Sequence, residues 1–112
     1  MKNNIALISA PELMLKLNNR DDLQLIDVRE HWEHNEYNIG GANFPLHSIF
    51  ENTQQICRDK IVVLYCQKGI RSQIAIQRLQ QRLYFTNLVN LTGGMEAWKR
   101  EVKKNVSDIP HH

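Results

Sequence analysis

Cysteine, net charge and long apolar runs are all scarce in this chain, and each shortage excludes a class of protein. Two cysteines, Cys57 and Cys66, among 112 residues are too few for the disulfide framework of a small secreted domain. Fourteen Lys and Arg against twelve Asp and Glu give a formal net charge of +2, which does not indicate a nucleic-acid-binding surface. No apolar run has the roughly 20 residues of a membrane span, and the apolar segment after residues 1–4 is too short for a secretory signal. We therefore expect a cytoplasmic protein without membrane or nucleic-acid partners, in which a thiol stays reduced.

The length of the chain and the order of its apolar segments predict one α/β domain. A chain of 112 residues is large enough for a single core, and it contains no internal repeat or linker. We assign residues 1–104 to the domain and 105–112 to a loose tail. Apolar runs typical of strands alternate with segments of helical periodicity, which indicates a parallel sheet with helices on both faces. The predicted strands are residues 5–8, 23–28, 61–65 and 88–91.

Two capping-box patterns predict where helices begin. Ser9 precedes Glu12 by three positions, and Ser48 precedes Glu51 by three. A serine followed at this spacing by a glutamate satisfies two free N–H groups at a helix start. Cys57 falls on the predicted buried side of the second helix and is most simply a core residue. A role as a resolving thiol for the second cysteine is the alternative.

The stretch Cys-Gln-Lys-Gly-Ile-Arg-Ser at 66–72 follows the predicted strand 61–65 and precedes a helical pattern. A turn between a buried strand and a helix start directs backbone N–H groups toward one point, with the positive end of the helix dipole behind them. Such a turn favours the thiolate of Cys66, which is the nucleophilic form. Gly69 permits a positive φ, and Arg71 offers a fork-shaped cation for an oxyanion. The alternative, that Cys66 is only a small buried apolar side chain, leaves this combination unexplained.

Several segments together resemble the rhodanese family of sulfurtransferases. Cys-x-x-Gly-x-Arg-Ser after an apolar strand is similar to the active-site loop of that family. The other matching segments are Ile-Asp-Val-Arg-Glu at 26–30, Asn-Ile-Gly-Gly-Ala-Asn-Phe-Pro-Leu at 38–46 and Leu-Thr-Gly-Gly-Met-Glu-Ala-Trp at 91–98. The resemblance implies the rhodanese-like α/β fold with about five parallel strands. Asn38 stands where many rhodaneses have a histidine, and this version is most similar to rhodanese domains that work with the adenylating enzymes of molybdopterin and thiamin biosynthesis.

The resemblance also implies a double displacement of sulfur at Cys66. The thiolate takes the outer, sulfane sulfur of thiosulfate or of a protein persulfide. A nucleophilic acceptor then removes this sulfur; the acceptor is cyanide in the test tube and a thiol or an activated protein carboxylate in the cell. The implied partner is a sulfur-carrier protein or an adenylating enzyme, and no cofactor or metal is expected.

The loop after Cys66 is expected to bind the substrate and the persulfide. Its residues are Gln67, Lys68, Gly69, Ile70, Arg71 and Ser72. We expect Arg71 and Lys68 to bind an anionic donor and the loop amides to hold the persulfide. Gln67 replaces an arginine that the family often has, which favours a protein persulfide over thiosulfate as the donor. Ser72 either donates a hydroxyl hydrogen bond at the site or caps the following helix.

Asp27 and Arg29 are predicted supporting residues near the end of the second strand. Because ligands collect at the carboxyl ends of strands in open α/β sheets, Asp27 is expected to face the same crevice as Cys66. Arg29 and Glu33, four positions apart on a predicted short helix, are expected to pair or to anchor the neighbouring loop.

His31 and His34 are three positions apart and could meet one metal ion. No further ligand at suitable spacing accompanies them, so both are predicted to be surface residues.

Two other functions are compatible with this fold. Dual-specificity phosphatases of the cell-division-cycle type also use a loop cysteine with an arginine, but their loop has one more residue between the two. The shorter span from Cys66 to Arg71 suits a sulfane sulfur better than a tetrahedral phosphate. Non-catalytic rhodanese folds serve as interaction modules, but those commonly lack the cysteine.

Overall fold

A five-stranded parallel sheet forms the centre of the structure, a computed structural model that describes residues 4–107 and the side chains of residues 4–102. The strands are β1 (Ala6–Ile8), β2 (Leu23–Asp27), β3 (Ala42–Asn43), β4 (Ile61–Tyr65) and β5 (Leu88–Leu91). The helices are α1 (Ala10–Asn18), α2 (His31–Glu36), α3 (Ile70–Leu83) and α4 (Gly94–Ser107), and a 3-10 helix covers Leu46–Gln55. The strand order is β1-β5-β4-β2-β3, and every pairing is parallel. The predicted α/β class and the parallel sheet are confirmed.

Helices cover both faces of the sheet because β4 is apolar on both. Val62 and Leu64 pack with α3 and the 3-10 helix, whereas Val63 and Tyr65 pack with α1 and α4. Successive side chains of a strand point to opposite faces, so a continuous apolar run needs cover on both sides. All four side chains are 0% exposed. The predicted placement of helices on both faces is therefore confirmed.

The first capping box forms as predicted, and the second does not. The Ser9 hydroxyl accepts from the Glu12 N–H at 3.2 Å, and the Glu12 carboxylate accepts from the Ser9 N–H at 2.9 Å. The predicted box at Ser48 is wrong, because the 3-10 helix begins earlier, directly after Pro45. Ser48 marks a kink inside that helix, and its hydroxyl donates to the Pro45 carbonyl at 3.3 Å. The serine is therefore past the position at which it could cap.

The ends of several elements differ from the predicted ones. The strands predicted at 5–8 and 23–28 are each one residue shorter. Helix α4 continues through Ser107, into the segment 105–112 that we assigned to a tail, and residues 108–112 lie outside the described residues. Among residues 4–107, none of the helices has both the length and the apolar content that crossing a membrane requires.

The end of β4 lies in the middle of the carboxyl edge of the sheet. β4 pairs with β5 on one side and with β2 on the other. The Val28 N–H donates to the Tyr65 carbonyl at 2.9 Å, so β4 stays paired with the chain that follows β2 up to its last residue. Residues that follow β4 are therefore surrounded by the segments that follow its two neighbours.

Candidate active site

The backbone after β4 is fixed against the first turn of α4. The Met95 N–H donates to the Cys66 carbonyl at 2.8 Å, and the Glu96 N–H donates to the Gln67 carbonyl at 3.0 Å. Gly94, at φ +58°, allows this approach, since a Cβ there would overlap the Cys66 carbonyl oxygen and lie 2.8 Å from the Gln67 carbonyl carbon. The Gly-Gly turn at 93–94 therefore positions the cysteine loop.

Two backbone amides donate to the sulfur of Cys66. The Gly69 N–H lies 3.1 Å from Sγ and the Ser72 N–H 3.4 Å from it. Gly69 is the N-cap of α3 and has φ +93°, a conformation that turns its N–H inward and that glycine adopts without strain. Within the loop 66–72, which the structure describes in full, these two amides reach Sγ. They lie at the positive end of α3, where negative charge on the sulfur is stabilised.

A cavity of about 240 Å³ lies over the cysteine and is lined by Glu33, Cys66, Gln67, Lys68, Ile70 and Arg71. Cys66 itself is 1% exposed, so its sulfur lies at the base of the cavity rather than on the protein surface. Ile70 is 63% exposed and presents apolar surface beside it. All six loop residues predicted from the sequence are thus placed around the sulfur, four along the cavity and two, Gly69 and Ser72, as amide donors.

Arg71 is bound by a carboxylate and does not present a free guanidinium. Its Nη1 and Nη2 donate to the two carboxylate oxygens of Glu33 at 2.7 and 3.0 Å. Glu33 also accepts from the Glu30 N–H at 3.0 Å, which holds the carboxylate at the first turn of α2. The hydrogen bonds from Arg71 lower the pKa of Glu33, and the same contacts raise the pKa of Arg71. The pair is therefore ionised at neutral pH.

Arg29 forms its ion pair with Asp27, so of its two predicted roles, a pair with Glu33 or an anchor for the neighbouring loop, the pair with Glu33 is wrong. Its Nε and Nη2 donate to the Asp27 carboxylate at 3.0 and 2.8 Å, and Nη2 also donates to the Tyr37 carbonyl at 2.6 Å. Both side chains are buried, with Asp27 0% and Arg29 4% exposed. The pair ties the end of β2 to the end of α2.

Asp27 does not face the same crevice as Cys66, which corrects the sequence-based expectation. Cys66 packs in the cluster of Val62 and Leu64, whereas Asp27 lies opposite Tyr65 in the β2–β4 register. Register partners share a face and successive residues alternate, so the Asp27 and Cys66 side chains point to opposite faces of the sheet. Asp27 is absent from the residues that line the cysteine cavity.

The sequence from the first helix to the last matches a known protein family. A family model described as "Rhodanese-like domain" matches residues 9–101, which is most of the chain. The chain belongs to the rhodanese family. The predicted family is therefore confirmed, and the match includes the cysteine loop, the Gly-Gly turn and the strand that carries Asp27.

Individual relatives of this rhodanese domain differ in length. "Uncharacterized protein YqhL" of Bacillus subtilis is 42% identical over 81 residues, which are 71% of this chain and 64% of that protein, less than two thirds of its length. A "Sulfurtransferase" of Allochromatium vinosum is 35% identical over 94 residues, 83% of this chain and 87% of that one. "Probable adenylyltransferase/sulfurtransferase MoeZ" of Mycobacterium tuberculosis is 31% identical over 102 residues, 88% of this chain and 26% of that protein. The crystal structure of a rhodanese-like domain protein from Staphylococcus aureus superposes with a TM-score of 0.76 at 28% identity, covering 84% of this chain and 91% of that one.

A buried residue of this rhodanese domain that sequence reasoning missed is Asn90. The Ser72 hydroxyl lies 3.4 Å from Sγ of Cys66 and donates its proton to Asn90 Oδ1. Asn90 Nδ2 donates in turn to the Gly69 carbonyl at 3.4 Å. Ser72 does not cap α3, whose N-cap is Gly69, so of its two proposed roles capping is wrong. The signal for Asn90 was present as one amide inside the apolar strand Leu88–Leu91.

His31 and His34 each have a hydrogen-bond partner. His34 is partly buried, and its Nδ1 lies 2.9 Å from Asp27 Oδ2, so its prediction as a plain surface residue is wrong. His31 is exposed, as predicted, and its Nδ1 lies 2.6 Å from Asn43 Oδ1. Within the described part of the chain, no three His, Cys, Asp or Glu side chains are arranged to hold a metal ion.

Cys57 lies at the other end of β4 from Cys66. It precedes the strand, its carbonyl accepts from the Asn87 side chain at 2.8 Å, and its own side chain packs partly buried on the core. Five strand residues span about 16 Å, whereas a disulfide needs Cα atoms within about 7 Å. Cys57 is therefore a core residue in this fold, and a direct resolving role is excluded by distance.

Proposed function

We propose that this rhodanese domain is a sulfurtransferase that carries sulfane sulfur as a persulfide on Cys66. The observation that supports this most directly is the pair of amides, from Gly69 and Ser72, that point at Sγ at the base of a cavity. Amides fixed in advance toward an anionic sulfur stabilise the nucleophile without reorganisation.

The first step is attack of the Cys66 thiolate on the outer sulfur of a donor. A new S–S bond forms at Sγ, the donor's own S–S bond breaks, and its electron pair leaves with sulfite or with a thiolate. The product sulfur extends from Sγ into the cavity, where the loop amides of residues 67–72 are the available donors. A nucleophilic acceptor then attacks this outer sulfur and restores the Cys66 thiolate.

The donor is thiosulfate or a protein persulfide, and the acceptor is delivered by a partner protein. Association with a sulfur-carrier protein or an adenylating enzyme is supported by the resemblance to MoeZ, whose name includes an adenylyltransferase. Gln67 and the Glu33–Arg71 pair both reduce the positive charge available to a dianion. A cytoplasmic location fits this role, because Cys57 and Cys66 are both free thiols.

The test is the intact mass of the protein after incubation with thiosulfate and, separately, with a cysteine persulfide. We expect a gain of one sulfur atom that cyanide or dithiothreitol removes. Cys66→Ser should gain none, and Cys57→Ser, the matched control, should gain the same as wild type. Hydrolysis of an aryl phosphate without sulfur uptake would select a phosphatase, and neither activity would leave a non-catalytic interaction module.

A further inference from the structure

The two basic side chains that line the cysteine cavity differ in whether a carboxylate pairs with them. Lys68, Arg71 and Glu33 all line it, and Glu33 holds both terminal nitrogens of Arg71. Among residues 4–102, no carboxylate is within ion-pair distance of Lys68. The cavity therefore presents one uncompensated cation, although two basic residues line it.

We propose that Glu33 sets the donor specificity of this domain by neutralising Arg71, so that Cys66 takes sulfur from organic persulfides in preference to thiosulfate. The inference rests on the proposed sulfur transfer. It adds to that function a named specificity-determining residue and a donor class, a hydropersulfide with a single negative charge.

Charge is the first reason for this preference. Thiosulfate is a dianion that must approach a thiolate, and a site that binds dianions usually supplies fixed, bidentate cations. Arg71 has the required geometry, but the carboxylate of Glu33 occupies its fork and cancels its charge. A persulfide R–S–S⁻ carries one negative charge, which Lys68 alone balances.

The shape and polarity of the cavity are the second reason. Ile70 is 63% exposed and lines the cavity beside Lys68. Its apolar surface can pack against the carbon chain of a persulfide, whereas the sulfonate end of thiosulfate gains nothing there and loses hydration.

The ion pair is fixed by the fold. Glu33 is held by the Glu30 N–H as well as by Arg71, in the capping box of α2. Moving the carboxylate away from Arg71 would break that box, so a small anion does not readily displace it.

Both donors give the same enzyme product, so their rates can be compared directly. With thiosulfate, Cys66–S⁻ and ⁻S–SO₃⁻ give Cys66–S–S⁻ and SO₃²⁻. With a persulfide, Cys66–S⁻ and R–S–S⁻ give Cys66–S–S⁻ and R–S⁻. In each case the thiolate electron pair forms the new S–S bond, and the old S–S bond leaves with its pair on sulfite or thiolate.

The experiment measures the second-order rate of sulfur loading by intact mass, with cysteine persulfide, whose ammonium and carboxylate charges cancel, and with thiosulfate. Glu33→Gln keeps a side chain that can accept from the Glu30 N–H but removes the charge. Glu36→Gln, an exposed carboxylate on the same helix, is the matched control for loss of one negative charge. We expect Glu33→Gln to raise the thiosulfate rate about ten-fold and to change the persulfide rate less than about three-fold. Glu36→Gln should change neither rate by more than about two-fold.

Further results separate this inference from the proposed function. Wild type should load from the persulfide at least about ten-fold faster than from thiosulfate, a ratio that needs no variant. The gain in Glu33→Gln should vanish in Glu33→Gln/Arg71→Gln, because Glu33 acts through Arg71. No loading of wild type by either donor would overturn the proposed function itself. Loading in which thiosulfate is as fast as the persulfide, or is not accelerated in Glu33→Gln, would overturn the role of Glu33 alone.

Discussion

The backbone of Gly94 lies directly against the carbonyl group of Cys66, at a distance that leaves no room for a side chain. This contact joins the first turn of α4 to the loop that carries Cys66, the proposed nucleophile, and the Met95 N–H donates to the same carbonyl. The geometry of the thiol therefore depends on a glycine 28 positions further along the chain.

Gly94→Ala should destabilise the protein by at least about 3 kcal/mol, because a positive φ and a steric overlap act together. Gly40→Ala is the matched control. Gly40 also has a positive φ, but its Cβ would lie 3.8 Å from Leu25 Cδ1, an ordinary contact. We expect Gly40→Ala to cost about 1–2 kcal/mol. Urea unfolding measures both, and equal costs would show that the overlap at Gly94 is relieved without consequence.

Ser72→Ala should slow sulfur loading only modestly. The Ser72 hydroxyl gives its proton to Asn90, so it does not donate to the thiolate, and the Gly69 and Ser72 amides remain. We expect less than the roughly 100-fold loss that follows removal of a true anion-stabilising donor. Stability should fall by about 1–3 kcal/mol, because Asn90 Oδ1 loses its partner in the interior. Loading rates and urea unfolding of the same samples check both effects.

Asn90→Ala is the companion variant to Ser72→Ala. It frees the Ser72 hydroxyl to turn toward the sulfur of Cys66, so loading should not slow. A loss of about 100-fold in Ser72→Ala, with loading by Asn90→Ala unchanged, would instead make the hydroxyl a direct participant in the reaction.

Asp27→Asn should cost about 3–5 kcal/mol, because it leaves the Arg29 guanidinium buried without a counter-charge. Asp22→Asn is the exposed control, since Asp22 and its partner Lys60 form their pair at the surface, and it should leave the stability close to that of wild type. The double variant Asp27→Asn/Arg29→Met should be more stable than Asp27→Asn alone. Folded Asp27→Asn should still load sulfur on Cys66 within about three-fold of wild type, since Asp27 lies on the other face of the sheet. Full stability with lost loading would contradict this assignment.

The Glu33–Arg71 pair should make the unfolding free energy depend on pH. Because Arg71 lowers the pKa of Glu33 in the folded protein, the carboxylate contributes stability above the usual Glu pKa of about 4.3. That contribution is lost as the pH falls through the lower, folded-state value. The Arg71 side chain is 35% exposed, so we expect a difference of only about 0.5–1 kcal/mol between wild type and Glu33→Gln at pH 7. Urea unfolding at pH 7 and pH 3 should show the difference shrink, and a constant difference would contradict the ionised pair.

The fold and the cysteine loop were predictable because short local sequence patterns determine them. The continuous apolar run of β4, the glycine at the start of α3 and the capping box at Ser9 each determine a conformation through neighbouring residues. The loop residues follow from the same short stretch. These parts of the sequence and the structure agree.

The two charge pairs could not be predicted in this way, because Arg29 pairs outside any helix and Arg71 pairs with a residue distant in sequence. The rule for pairs four residues apart applies within a helix, but Arg29 lies before α2, which begins at His31. Arg29 is therefore free to turn back to Asp27, and Glu33 meets Arg71 from a segment 38 positions away. Only the assembled sheet brings those segments together.

The place of β4 between two paired neighbours also determines how the site can open. Strands hydrogen-bonded on both sides are usually the last to exchange their amide protons with solvent, because they open only when the whole domain unfolds. The residues just before Cys66 belong to this most protected unit. Slow alkylation of the Cys66 thiol in the native protein would then report motion of the loops above the cavity. Amide exchange in Val62–Leu64 would report global unfolding, so a change in one rate need not change the other.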